Sequence, residues 1–445
     1  MKKLSLLVWI LTIVGTAQSQ QSLQVDSGIP VGLREAIDAA LSRNPVMQAS
    51  RARVDAAVSR EREVRSALFP HVRFSGRFAQ LSEVPEFSVP FLGPDPLFPS
   101  ITRSTSARVS VQQTLFSGFR ILKSAEAAGY QSNAAGADLE RDRADLILNV
   151  TTAYWQLSLA RRVEEVLART VEQIEAHVRD VENFRGQGMA TEADILKVKT
   201  RSSDVKVRHI EARSNVRLAA MRLNSLMGSP LDTPVVPGDE PPADDDPILN
   251  GLDLRTVVER ARGQRFELLA SRERVLAQEA AVSAAGGGWY PQILLAAGYD
   301  YARPNPRIVP PKDRWETSWD VGVTVQWNIW DWFATAGRTA QARAGLAQAE
   351  AGFAQTSDAV ALDAAQQYFR TLEARERIGV ARWGTSQAEE SYRITREMFR
   401  QNLASNSDLL DAETALLQAQ LTSAQAAADY AVQRQRLRRA IGVRE

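Results

Sequence analysis

The sequence predicts a mainly α-helical protein with a small β part that lies in a membrane, built as two similar halves. Three observations lead to this prediction. Matched residues recur at a fixed spacing along the chain, two amphipathic segments are exceptionally long, and four short runs alternate between apolar and polar residues. Helical patterns repeat every 3.6 residues and strand patterns every two, so the period distinguishes the two kinds of segment.

An internal repeat divides the 445-residue chain into halves. Leu33 matches Leu254 and Phe69 matches Tyr290 at one constant spacing. After one difference in length, a second constant spacing holds for a series of pairs: Val111 and Val325, Phe119 and Phe333, Tyr154 and Tyr368, Asp194 and Asp408, Leu223 and Leu437, and Gly228 and Gly442. A period of this length is too long for a solenoid and indicates a duplication. The first repeat is expected at 20–228, a Pro/Asp-rich connector at 229–251 and the second repeat at 252–445.

Each half is predicted to run helix, strand, strand, helix, helix. The first half has helices at about 31–67, 117–184 and 191–227, with Pro30 as the first start signal, and strands at about 71–81 and 104–114. The second half has helices at about 252–286, 331–400 and 406–441, and strands at about 291–301 and 318–328. The longest helices would reach roughly 100 Å, which matches two of the shorter helices placed end to end. Such lengths are what a uniform tubular wall requires.

Composition excludes several functional classes. The chain has no cysteine, which rules out disulfides, thiol catalysis, thiolate metal sites and a lipidated N-terminal cysteine. It has three histidines, of which His177 is expected on the surface and His209 in a helix seam, so a histidine-rich metal site is not predicted. No nucleophile–base set or phosphate-binding loop is found either. We therefore expect no enzyme activity, no cofactor and no metal.

The N-terminus carries an export signal. Lys2 and Lys3 precede the apolar stretch "LSLLVWILTIV" and then small residues, which predicts a signal peptide at 1–19. No later segment has about 18 uninterrupted apolar residues, so no transmembrane helix is predicted. The formal net charge of +1 argues against nucleic-acid binding, although the basic run "RQRLRR" at 434–439 leaves a nucleic-acid-binding coiled coil as one rival class.

The four alternating runs have the length and the ends of membrane strands. The clearest places Trp319, Val321 and Val323 opposite polar neighbours, and each run has about ten residues, enough for a tilted strand to cross a bilayer. A single run fits the alternative better, namely a half-buried sheet in a soluble α+β protein, but two matched hairpins with aromatic ends in an exported chain favour the membrane. Residues at the helix-to-strand steps "LFP" and "WYP" are expected to anchor the membrane interface: Phe69, Pro70, Trp289, Tyr290 and Pro291. Because four strands cannot close a barrel and lipid does not tolerate an open edge, identical chains must pool their strands.

These motifs together resemble the TolC-like outer-membrane efflux family, the outer-membrane factors. The resemblance rests on the duplicated halves, on "LFP" and "WYP", on "LFSGF" and "IWDWF" after the second strands, and on "GMATEADIL" (188–196) and "NLASNSDLL" (402–410). It implies a homotrimer in the outer membrane of a Gram-negative bacterium, with a 12-stranded β-barrel continued by a long periplasmic α-helical barrel. It also implies a passive duct of a tripartite efflux or type I secretion system, loaded by an inner-membrane transporter and a periplasmic membrane-fusion adaptor.

Two candidate sites follow from the resemblance. Adaptor contacts are expected at the helix-tip turns, namely Gly188, Met189, Ala190, Thr191, Asn402, Leu403, Ala404 and Ser405. A pore constriction is expected at Asp408 and Asp411, with Asp194 at the matching position of the first half. Thr191 and Ser405 are also natural N-caps, and paired aspartates often lie on a solvated helix face, so both structural alternatives stay open. A soluble periplasmic coiled-coil protein is the alternative to the channel as a whole.

Overall fold

A computed structural model describes residues 28–87, 91, 96, 98–241 and 251–443 of the protein. The predicted signal peptide at 1–19 and residues 242–250 of the predicted connector lie outside this part. The helices are α1 (Leu33–Arg43), α2 (Pro45–Ser66), α3 (Arg120–Gly186), α4 (Glu192–Met227), α5 (Leu254–Gln264), α6 (Phe266–Gly286), α7 (Ala334–Arg400) and α8 (Asn406–Ala440). The strands are β1 (Ile29–Val31), β2 (His71–Gln80), β3 (Arg103–Phe116), β4 (Val235–Pro237), β5 (Gln292–Arg303) and β6 (Glu316–Gln326).

The first predicted helix is two helices, which corrects the range 31–67. Pro45 disfavours helical geometry at the residue before it, so Asn44 is extended, with φ −65° and ψ 130°. The Asn44 side chain then accepts a hydrogen bond from the Val46 amide and donates one to the Leu226 carbonyl of α4. The expected start at Pro30 is also wrong, because Ile29–Val31 forms a parallel strand with Val235–Pro237.

The corresponding helix of the second half, predicted at 252–286, is broken as well. Arg265 is the residue of the second half that matches Asn44, and it is also extended, with φ −68° and ψ 131°, although no proline follows it. Its buried guanidinium donates to Glu267 and to Asp363 of α7. Arg439 of α8 donates to the same Glu267. An ion-pair network therefore holds the second break, whereas a proline and an amide hold the first.

The long helices lie in one layer that is four helices wide. α3 contacts α2 and α4 as well as α6 and α8, and α7 contacts α6 and α8. α2 lies along the first part of α3, where Arg53 pairs with Asp142, and α4 lies along the last part, where Lys199 pairs with Glu182. Each short pair thus spans one 67-residue helix of roughly 100 Å. None of the described helices has an apolar stretch long enough to cross a membrane.

The four long strands form one antiparallel sheet in the order β2-β3-β5-β6. The register aligns Phe74, Val109, Tyr299 and Trp319 across all four strands on one face. The next residues along each strand, such as Ser75, Arg108, Asp300 and Ser318, align on the other face. One face of the sheet is therefore apolar and exposed, and the other is polar.

Cross-strand ion pairs link three strands on the polar face of the sheet. Arg108 of β3 donates to Asp320 of β6 at 2.9 Å, passing over β5 at Gly298. A β-carbon at Gly298 would overlap the Arg108 guanidinium, so only glycine leaves room for this crossing. Arg108 also donates to Asp300 of β5. The mainly α fold with a small β part and duplicated halves is thus confirmed.

The ion-pair network at Arg265 predicts a pH-dependent stability. Burial alone would raise the pKa of Glu267, but hydrogen bonds and charge from Arg265, with the charge of Arg439, lower it to about 2. The stabilisation is therefore fully present above the ordinary pKa of 4.5 and is lost as pH falls towards 2. We expect Glu267→Gln to cost about 3 kcal/mol at pH 7. The difference in thermal unfolding midpoint between Glu267→Gln and the wild type should decrease as the pH is lowered from 4.5 towards 2.

The matched control is Glu259→Gln, which removes an exposed carboxylate paired with Arg255 within α5. Exposed pairs contribute little, so this change should leave the midpoint nearly unchanged. Thermal unfolding of the purified protein, followed by circular dichroism, measures the midpoints of both variants. The proposed role of the network would be contradicted if the difference in midpoint between Glu267→Gln and the wild type stayed constant from neutral pH to about pH 2.

Candidate functional site

The two helix tips share one construction. The turn after α3 has a residue with positive φ, Gly188 at 77°, and the turn after α7 has the matching Asn402 at 61°. The residue after each of these donates to a carbonyl in the last turn of the helix, as Met189 does to Phe184 and Leu403 to Met398. Glycine and asparagine are the residues that adopt this left-handed cap most readily. The replacement of Gly188 by Asn402 between the halves therefore preserves the turn.

A capping box starts each returning helix. The Thr191 side chain accepts from the Asp194 amide, and the Asp194 carboxylate accepts from the backbone and hydroxyl of Thr191. Ser405 and Asp408 repeat the same three bonds. The capping expected for Thr191 and Ser405 is thus confirmed, and the hydrogen bonds from these residues lower the pKa of Asp194 and of Asp408.

The tips lie side by side and present apolar side chains. Asn402 donates to the Met189 sulfur at 3.3 Å, and Asn406 donates to the Asp194 carbonyl at 3.3 Å. The Leu403 side chain is 67% exposed and the Met189 side chain 49% exposed. A cleft of about 500 Å³ lies between the turns, bordered by Ala190 and Ala404 among others. The cleft thus brings together five of the eight predicted tip residues, namely Met189, Ala190, Asn402, Ala404 and Ser405.

The acidic residues occupy different settings in the two halves. Asp194 is half-buried, whereas Asp408 and Asp411 are exposed. Asp411 lies one turn after Asp408, on the side of α8 away from the buried Leu409. Lys197 occupies the position in α4 that matches Asp411. The exposed acidic pair therefore belongs to the second half alone.

A buried polar pair joins the halves behind the tips. His177 of α3 is 3% exposed, which corrects its expected place on the surface, and its Nδ1 lies 3.3 Å from a carboxylate oxygen of Glu413 in α8. The His177 ring contacts Phe399, which in turn contacts Phe184, with ring centroids 5.3 Å apart in both pairs. His209 lies in the seam between α4 and α3, as expected, with its Nε2 2.9 Å from Glu164. Sequence periodicity missed the His177 pair because a single polar residue gives no periodic signal.

The aromatic residues of "LFP" and "WYP" lie where a helix ends and a strand begins. Tyr290 contacts Phe116 at the end of β3, and the Trp327 indole donates to the Trp289 carbonyl just after β6. Pro70 and Pro291 stand directly before β2 and β5. The side chains of Phe69, Trp289 and Tyr290 are all more than half exposed. An aromatic cluster thus borders the apolar sheet face at its helical end, and its anchoring role stays a prediction.

Comparison with known proteins identifies the family to which this chain is similar. The family model of the outer membrane efflux proteins matches residues 36–229 and 257–443 of the sequence. The chain belongs to the outer membrane efflux protein family. The two matched segments correspond to the two halves of the fold, and each contains one hairpin and one helix tip. The family lies in the outer membrane of Gram-negative bacteria, and its fold is that of channels.

Individual relatives agree with this assignment. CyaE of Bordetella pertussis is 30% identical over 190 residues, which make up 42% of this chain and 38% of CyaE. The matched region therefore spans less than half of that relative. The outer-membrane channel OprN has a TM-score of 0.76 at 20% identity, covering 92% of this chain and 89% of OprN. The outer membrane protein VceC of Vibrio cholerae has a TM-score of 0.79 at 18% identity, covering 92% of this chain and 96% of VceC. Membership of the outer membrane efflux protein family sets aside the soluble coiled-coil alternative.

The buried pair behind the tips predicts a coupling energy between the halves. His177→Phe keeps a ring in the core but leaves the Glu413 carboxylate buried without its partner, so we expect a loss of about 1–3 kcal/mol. The double variant with Glu413→Leu should recover most of that loss, because no buried charge then remains. Urea unfolding of the two variants measures the difference. A double variant less stable than His177→Phe would contradict the pairing.

Proposed function

We propose that three copies of this chain form an outer-membrane channel that passively conducts substrate from the periplasm to the cell exterior. The observation that carries the proposal is the pair of open sheet edges. Within the described residues, neither β2 nor β6 has a neighbour on its outer side, and the sheet presents an apolar face. Lipid offers no partner for the backbone groups of such edges. Three copies supply twelve strands, an even number that closes an antiparallel barrel.

The outer helices of the layer support the same assembly. α4 carries the exposed apolar residues Leu196, Val207 and Leu218. Each is about three helical turns from the next, so the three side chains lie on one face of the helix. α7 carries Leu362 and Val380, which are separated by five full turns and also fall on one face. Because α4 and α7 are the lateral helices of the layer, joining α7 of one copy to α4 of the next covers both stripes.

The tips support the proposed partners. We infer that Met189 and Leu403, with the turns around them, insert into a periplasmic membrane-fusion adaptor, which receives substrate from an inner-membrane transporter. Their exposure and the cleft between the turns suit a partner that presents complementary apolar side chains. OprN is itself an outer-membrane channel with this fold. A tripartite efflux or type I secretion system uses such a duct, in which the protein performs no covalent chemistry and needs no cofactor.

The acidic pair supports the proposed constriction. Asp408 and Asp411 lie one turn apart on an exposed face close to the tip, and threefold symmetry would stack them as two carboxylate rings. Asp194, at the matching position, would lie beside them. Rings of carboxylates attract cations and repel one another. We assign cation selectivity at the periplasmic end of the duct to these residues.

The trimer is tested by a charge placed on the α7 stripe. Val380, 73% exposed in the single chain, would be buried between copies, so Val380→Glu should abolish the detergent-resistant trimer and the single-channel current in planar bilayers. The control Ser386→Glu adds the same charge on another exposed face of α7. It should leave both trimer and current intact. A stable conducting trimer of the Val380→Glu variant would overturn the proposed assembly.

The constriction is tested by removing charge without removing the cap. Asp408→Asn with Asp411→Asn keeps an oxygen acceptor for Ser405 but removes two carboxylates from each copy. We expect the reversal potential in a KCl gradient to shift away from cation selectivity. Ser405→Ala is the control, because it breaks the capping box and retains both charges, and its selectivity should equal that of the wild type. Equal selectivity of the Asn variant and the wild type would remove the assignment.

A further inference from the structure

The polar face of the membrane sheet carries positive charge that its own chain leaves uncompensated. Three arginines lie on this face: Arg73 and Arg77 on β2, and Arg108 on β3. Arg108 is held by Asp300 and Asp320, as described above. Arg73 and Arg77 are exposed, and among the described residues neither side chain forms an ion pair or a hydrogen bond. The charge is therefore concentrated on the β2 edge.

The register explains why these two arginines stay unpaired. Arg73 lies opposite Ser110, and Arg77 lies opposite Ser106, so the neighbouring strand offers hydroxyl groups and no carboxylate. The residues beyond them on β5 are Gly298 and Ala302. The acids on this face of β6 are already engaged within the chain. Asp320 is bound by Arg108 and Glu316 by Arg314.

The opposite face decides which way the arginines point in a barrel. Phe74, Val109 and Trp319 share that face, and each side chain is at least 44% exposed in the single chain. Apolar residues on one side of a membrane barrel contact lipid, so the polar side faces the lumen. Arg73 and Arg77 lie about 13 Å apart along the strand. Three copies would therefore place six guanidinium groups in two levels around the lumen.

We propose that Arg73 and Arg77 form a cationic belt in the barrel lumen, which binds anionic groups of passing solutes such as phosphates and carboxylates. This proposal rests on the trimeric channel proposed above. Guanidinium groups stay charged at all relevant pH values and donate two parallel hydrogen bonds to an oxyanion. A ring of like charges on the wall of a water-filled pore concentrates counter-ions. The belt lies at the opposite end of the duct from the acidic tips.

The experiment uses inositol hexakisphosphate as a polyanionic blocker of single trimers in planar bilayers. The blocker is added to the chamber towards which the barrel opens, so that it meets the belt before the tips. Wild-type current should be blocked, and Arg73→Gln with Arg77→Gln should raise the half-blocking concentration at least about tenfold. Arg73→Lys with Arg77→Lys should keep most of the block, because the charge is retained.

The matched control is Arg103→Gln. Arg103 lies on β3 at a position that shares the parity of the apolar face, so its removal takes one charge from the sheet without touching the belt. It should leave the block unchanged. The belt would be overturned if the blocker acted equally on the wild type and on the Arg73→Gln, Arg77→Gln variant. It would also be overturned if the wild type were not blocked, which would indicate that acids of the neighbouring β6 neutralise the arginines. Absence of any wild-type current would instead overturn the channel itself.

Discussion

The structure depends on one constraint, which is that backbone hydrogen-bonding groups cannot remain unsatisfied in lipid. Within the described residues, one chain supplies a four-stranded sheet with an open edge on either side and one apolar face. Such a sheet is stable in a membrane only when copies share their edges. In the helical part, the apolar stripes on α4 and α7 favour the same association for a different reason, because contact between copies removes apolar surface from water. In the proposed trimer, the same association would therefore close both the barrel and the helical wall.

Duplication gives the two halves a common frame, and small departures from it change the charge at the helix tips. Both tips use a left-handed stop followed by a capping box, so the two turns lie at one level and present one surface. Within this shared frame, Lys197 of the first half stands where the second half has Asp411. A complete set of acids in both halves would add further like charges at one level, at a cost from mutual repulsion. The exposed acidic pair therefore occurs in the second half alone.

Charge is placed differently at the two ends of the duct. The helix tips expose carboxylates, one of which also caps its helix, whereas the polar sheet face exposes arginines on its free edge. Between these ends, the Arg265 and Arg439 network is paired and holds the second helix break. In the proposed channel, the exposed charges at the two ends are the ones that would meet passing solutes.

The sequence by itself determined the duplication, the four strands, the two long helices and the family, because periodicity and matched motifs are local properties of the chain. It also indicated the caps at Thr191 and Ser405, since those residue types satisfy free amides wherever a helix starts. The break at Arg265 and the burial of His177 were decided only by tertiary structure. Both depend on carboxylates that lie far away in sequence, Asp363 and Glu413, and no local pattern records such partners. The unpaired state of Arg73 and Arg77 is likewise set by strand register, which fixes what lies opposite each residue.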